Sequence, residues 1–222
     1  MTFKFLSHQR SIASFLCMMG TLPFLVSADT GIETTEAQTA KQQLQDKLAD
    51  LQTLQGNFSQ RVYDGHELLQ EGSGRFVLER PARLRWETDA PDESLLIADG
   101  QTLWYYNPFI EQVSLFNQTD AMQANPLLLL LDAQSDNWST FHVSYADDRW
   151  TVRETESAGI AATLHLEFAQ DDAQTLSRLI LDDGQGQRSE FALADVYKNQ
   201  AVAPQSFHFD VPEGVDIDDQ RD

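Results

Sequence analysis

The sequence predicts a mainly β domain of the α+β class: an antiparallel sheet of about ten strands, preceded by one helix and interrupted midway by a leucine-rich helical insert. Three observations carry this. Ala40, Leu44, Leu48 and Leu51 recur at helical spacing among Gln, Asp and Lys, one apolar stripe of an amphipathic helix. After Gly56 apolar and polar residues alternate with period two through most of the chain, with Asp64-Gly65 and Asp99-Gly100 as hairpin-turn dipeptides. Between Thr119 and Ser135 the alternation stops, and five consecutive leucines follow Pro126, a residue suited to the first turn of a helix.

Residues 1–28 have the layout of a secretory signal peptide: Lys4 and Arg10 in a basic start, an apolar stretch from Ile12 to Val26, and Val26-Ser27-Ala28 as a small-residue cleavage site. The apolar stretch is interrupted by Ser14, Gly20, Thr21 and Pro23 and falls short of the roughly 20 residues of a membrane helix. Cys17, the only cysteine, lies inside it after Ser14-Phe15-Leu16, where lipid attachment wants a small preceding residue, so cleavage before Asp29 is favoured. Residues 29–39 are polar and read as a flexible N-terminal lead, and residues 40–222 as a single domain. Candidate strands run over 58–62, 69–79, 84–88, 95–98, 102–106 and 111–116, then after the insert over 141–145, 150–153, 164–168, 176–181 and 188–197. A sheet that wide tends to curl. Two interiors remain open at this stage: a fully packed core, or an apolar cavity between the sheet's concave side and the two helical segments.

The whole chain carries 15 basic and 35 acidic residues, and without residues 1–28 the balance is 13 against 35, a net charge of −22. Such a chain repels nucleic acid and anionic lipid headgroups, and no stretch supports stable membrane insertion. No G-x-S-x-G nucleophile motif is present, no cysteine remains after the signal, and the histidines at 66, 142, 165 and 208 lack metal-ligand spacing. There is no phosphate-binding glycine loop, and acidic pairs such as Asp147-Asp148 and Asp182-Asp183 fall in predicted turns without the order of a calcium loop. A binding protein without metal or cofactor fits this inventory better than an enzyme.

One charged residue stands apart. If the run after Pro81 is extended, Leu84 and Trp86 share a face, Arg83 and Arg85 point the other way, and counting back in register puts Arg80 with Leu84 and Trp86. An arginine beside apolar surface is costly unless its donors are used, so it reaches carbonyls or carboxylates of a neighbouring segment. The alternative is that Pro81 breaks the register and leaves Arg80 solvated.

Asn57-Phe58-Ser59-Gln60, Arg80-Pro81 followed by Trp86, the run PDESLLIADGQTLWYYNPFIEQ and the ending from Phe207 through Asp218-Asp219-Gln220 resemble the LolA family of periplasmic outer-membrane lipoprotein carriers, over about Leu44 to Gln220. The resemblance implies a half-open antiparallel β-barrel of about ten or eleven strands, with a helical lid over an apolar cavity. It implies a monomeric periplasmic chaperone that takes the acyl chains of triacylated lipoproteins from an inner-membrane ABC-type exporter and delivers them to an outer-membrane receptor lipoprotein. Arg80 stands where the family has a lid latch. The expected cavity lining is Leu48, Leu51, Leu84, Trp86, Leu96, Phe109, Leu127 and Leu128, and Arg83 and Arg85, two cations facing away from the cavity, have two readings, a contact to the exporter or solvated strand residues. The competing readings are a periplasmic lipid-sensing module on the same half-barrel and, from another class, a lipid hydrolase.

Overall fold

The computed structural model describes residues 30–124, 136–155 and 162–221. Helix α1 (Thr30–Ala49) leads into β1 (Thr53–Asp64) and β2 (Glu67–Glu79), then β3 (Arg83–Thr88), β4 (Ser94–Asp99), β5 (Thr102–Asn107) and β6 (Gln112–Asn117). Helix α2 (Gln118–Ala124) and a 3₁₀ turn (Asp136–Thr140) precede β7 (Phe141–Ala146), β8 (Arg149–Glu154), β9 (Thr163–Phe168), β10 (Leu176–Asp182) and β11 (Gln187–Lys198). A second 3₁₀ turn (Pro204–Phe207) and β12 (Asp216–Asp219) follow. The candidate signal segment lies outside the described residues.

The strands form one twelve-stranded open sheet in the order β12-β6-β5-β4-β3-β2-β1-β11-β10-β9-β8-β7. Every neighbouring pair is antiparallel except β12, which runs parallel to β6 with Asp216 opposite Gln112 and Asp219 opposite Leu115. The mainly β, α+β class is as the sequence predicts, and all eleven candidate strands are present. The twelfth was missed: Asp216-Ile217-Asp218-Asp219 carries no apolar alternation, because its only pairing is along one edge.

Inward residues from the two arms of the sheet meet in a single core. Leu84, Ala98 and Leu103 from one arm and Phe141, Val143, Val152 and Leu166 from the other join Ala40, Leu44 and Leu48 of α1. Strands far apart in the sheet order share this core, so the sheet curves around α1, which acts as the missing wall. Ala40, Leu44 and Leu48 of the stripe read from the sequence are the buried face of that helix, with Leu44 0 % exposed, while Leu51 lies two residues past its end and is half-buried. The helix begins earlier than expected: α1 reaches back to Thr30 across the stretch read as a polar lead. That stretch holds four Thr and one Gly, weak helix formers, beside two Glu, one Gln and one Ala, so the extension rests less on propensity than on a helix already nucleated by packing, where each added residue costs little.

At the centre of the sheet Trp86 stacks on Phe58 with ring centroids 4.3 Å apart and meets the edge of Phe191 at 5.2 Å. Phe76 adds a stacked contact to the same indole at 5.6 Å. Such pairs contribute about 0.5–1.5 kcal/mol each beyond their burial. Gly74 makes the arrangement possible, since a Cβ there would stand 1.9 Å from the Glu87 carbonyl oxygen and 2.5 Å from the Phe58 ring.

The outer face of β3 to β6 is covered as well. After β11 the chain returns across it, burying Phe207 and setting Phe209 5.5 Å from the Tyr106 ring and 6.1 Å from Trp104. Ile97 and Val113, both 0 % exposed, lie beneath this layer. Burial on both faces explains why the run from Ser94 to Ala98 is apolar without clean alternation.

Gly74→Ala is expected to lower stability by about 2–4 kcal/mol through displacement of the Phe58–Trp86 stack, read as a reduced denaturant midpoint at pH 7. A midpoint within error of the parent would show that the stack has room the geometry does not indicate.

Candidate functional site

The end of α1 overhangs an apolar cleft. Leu48 and Leu51 come from the helix end, Leu54 from β1, Leu78 from β2, Leu176 from β10, and Phe168 from the end of β9, with Lys47 and Gln174 at the rim. The cleft in this state holds about 20 Å³, room for roughly one water. Leu48 and Leu54 are buried and Leu51 is half-buried, as their place between helix and sheet requires.

Arg80 lies where β2 turns into β3. On β2 the inward positions are Phe76 and Leu78, and Arg80 continues that register. The chain reverses between β2 and β3, with Ala82 at φ 64 and Glu79 paired with Arg83. Counting back through Pro81 from Leu84 therefore runs through a hairpin turn; Arg80 takes its inward direction from β2. Its backbone N–H donates to the Gln52 carbonyl at 2.9 Å, and its guanidinium Nη1 donates to the carbonyl oxygen of Leu48. The Leu48 carbonyl belongs to the last turn of α1, where carbonyls lack helical partners and carry the negative end of the helix dipole. The Leu51 N–H shares the same acceptor at 3.1 Å. One cation thus ties the strand turn to the helix end, a charge-assisted bond of about 1.5–3 kcal/mol.

Two residues that sequence reasoning did not single out hold this junction. Gln118, 2 % exposed, donates from Nε2 to the Ala82 carbonyl at 2.7 Å and accepts the Gly100 N–H at 3.0 Å, so it fixes the turn that carries Arg80. Asn199 accepts the Gln52 N–H at 2.8 Å and donates to the Asp50 carbonyl at 3.0 Å, closing the link between α1 and β1. Gln118 looks like any strand-end amide in the sequence, and its partners lie 18 and 36 residues away. Long-range amide bridges leave no periodic signal.

The remaining expected site residues divide. Leu84 is buried, and Trp86 and Leu96 are half-buried against the same inner core. Phe109 is a correction: it sits in the turn between β5 and β6, 91 % exposed, where no inward face exists for it to join. Leu127 and Leu128 lie outside the described residues. Arg83 and Arg85 do point away from the core, but both have partners within the chain. Arg83 stands 6.0 Å from the Phe207 ring and 3.7 Å from Glu79, while Arg85 donates to the Ser206 carbonyl at 3.3 Å and pairs with Glu87 at 3.3 Å. They pin the C-terminal layer to the outer face. The Arg75 hydrogen bond at 2.7 Å, with help from Arg85 and against the cost of burial, holds the Glu87 carboxyl down at about 2.

Residues 49–210 match the family described as outer membrane lipoprotein carrier protein LolA. An outer-membrane lipoprotein carrier protein of Idiomarina loihiensis is 41% identical over 181 residues, covering 81% of this chain and 88% of the relative. One from Shewanella loihica is 38% identical over 201 residues, covering 90% and 92%. A solved LolA superfamily protein from Nitrosomonas europaea superimposes with a TM-score of 0.46 at 12% identity, covering 77% of this chain and 98% of that one.

The Glu87 cluster sets a pH dependence. In the unfolded chain this carboxyl takes up a proton near its usual 4.5, whereas in the folded protein it stays charged down to about 2. Its contribution is therefore complete above about pH 4.5 and is lost as pH falls toward 2. Between pH 7 and pH 3 the parent should lose about 1–2 kcal/mol more stability than Glu87→Gln, a figure that allows for the solvent around Arg75. Denaturant titrations of both proteins at the two pH values measure the difference, and parallel losses would remove Glu87 from the acid response.

Proposed function

The chain belongs to the LolA family of outer membrane lipoprotein carriers, and from that membership we propose that it is a periplasmic chaperone for the acyl chains of lipoproteins. In this reading an inner-membrane ABC-type exporter releases a triacylated lipoprotein, the chains enter beneath α1, and an outer-membrane receptor lipoprotein takes them over. The observation that carries the reading is the guanidinium of Arg80 on the Leu48 carbonyl, a polar tie between the strand turn and the helix end beside a mainly apolar cleft. Leu48, Leu51, Leu84, Trp86 and Leu96 supply the apolar surface the chains would meet.

The energetics explain why such a tie suits a carrier. Each buried methylene contributes about 0.8 kcal/mol, so a few acyl chains sheltered even in part would bind too tightly for onward transfer. Loading must separate the end of α1 from the sheet and so must break the Arg80 bond. The free energy regained when that bond re-forms over the emptied cleft offsets part of the acyl burial. The carrier then holds its cargo firmly enough to cross the periplasm and loosely enough to release it.

Arg80→Leu tests this. The variant removes the tie while keeping an apolar side chain, so it is expected to accept lipoprotein from exporter-bearing vesicles at least as well as the parent. Handover to receptor should slow about tenfold or more, the equivalent of one lost charge-assisted hydrogen bond. The readout is labelled lipoprotein in the soluble fraction after ATP addition, then its transfer to immobilised receptor. Handover at the parental rate would take Arg80 out of the release step.

A further inference from the structure

Lys47 lies in the last turn of α1 with its Nζ 4.4 Å from the centre of the Phe168 ring, at the rim of the leucine-lined cleft. Gln174 occupies the same rim. In a chain of net charge −20 most cations on the outer face are consumed by carboxylates: Arg61 by Glu71, Arg149 by Glu167, Arg178 by Glu190. Lys47 is different. Among the described residues no carboxylate is in ion-pair contact with it, and its contact is the face of an aromatic ring. Of the acidic residues near it along the chain or beyond the rim, Asp46 accepts from Gln42 at 2.9 Å, Asp172 is held by Lys198 at 2.9 Å, and Asp50, three residues on, makes no ion pair with it among the described residues. An ammonium over a ring gains less than one paired with an anion, so this site has an unspent preference for negative charge beside an apolar slot.

We propose that the Lys47–Gln174 rim recognises the anionic head group of a single-chain amphiphile, a long-chain carboxylate or alkyl phosphate, whose tail enters the cleft beneath α1. The lysine supplies the charge and the glutamine side-chain amide a hydrogen-bond donor, while Leu48, Leu51, Leu54, Leu78 and Leu176 receive the methylenes. The cleft holds only about one water in this state, so entry of a tail requires the last turn of α1 to lift and the Arg80 bond to Leu48 to open. This inference rests on the acyl-binding reading of the cleft and adds a head-group preference that the triacylated cargo does not require.

The test is calorimetric titration of the purified protein with laurate, dodecyl phosphate and dodecanol, each below its aggregation limit, alongside lipoprotein handover. Laurate or dodecyl phosphate should bind about tenfold more tightly than dodecanol. Lys47→Gln should reduce that ratio to within about twofold, and Lys47→Arg should restore it. The tighter of the two anions assigns the source, free fatty acid or phosphorylated lipid. Equal affinity for laurate, dodecyl phosphate and dodecanol, or a ratio unchanged in Lys47→Gln, overturns the proposal while normal handover leaves the carrier reading standing. Failure of all three to bind together with failed handover overturns both.

Discussion

An open sheet with an apolar inner face has to be covered by something, and the rest of this structure follows from how that cover is attached. In a closed barrel the walls meet and the interior fills with side chains; here β7 and β12 end the sheet without meeting, and α1 supplies the missing wall. The helix packs through Ala40, Leu44 and Leu48, apolar contacts that are strong but not directional. Direction comes from polar ties: the Lys41 ammonium on the Trp138 carbonyl at 2.9 Å, the Arg80 guanidinium on the Leu48 carbonyl and the Asn199 bridge across the α1–β1 link. The helix is thus held by hydrogen bonds at Lys41 and at its C-terminal end, and along its length by side-chain packing.

The outer face follows a different logic. There the chain folds its own C-terminal segment back over β3 to β6, so that Ile97 of β4 and Val113 of β6 are fully buried beneath it. Arg85 and Arg83 mark the seam between strand β3 and this layer, and Glu87 joins Arg85 to Arg75 across neighbouring strands. This part of the sheet carries aromatic contacts on its inner face and paired charges on its outer face.

How much of this was legible in the sequence depended on whether the residues concerned obey a local period. Strands with one solvated face, such as β1, β2 and β8, announce themselves by alternation, and Asp99-Gly100 announces its turn because the Asp99 carboxylate accepts the Gln101 and Thr102 N–H groups and Gly100 takes φ 104. The stripe on α1 was visible for the same reason. What escaped were features set by distant partners: β12, whose pairing with β6 depends on the chain crossing the outer face first, and Gln118, whose amide meets two turns remote in sequence. Phe109 misled because an aromatic after a proline in an apolar stretch looks like core, while a four-residue turn has no face to hide it on. Arg80 was reached from the wrong strand, and its inward direction survived the error because β2 and β3 present the same face to the helix.

The acidic edge formed by β12 bears on how such a molecule lives among copies of itself. An open sheet offers unpaired backbone groups along each terminal strand, an invitation to filament growth. On β12 that invitation is withdrawn by composition: Asp216, Asp218 and Asp219 fall within four residues, and a second copy aligned there would bring carboxylate against carboxylate. The strand is also too short to reward pairing with many bonds. Self-association along this margin is opposed by charge wherever the carboxylates are ionised, which lets the fold keep the gap in its wall without becoming a template for its own aggregation.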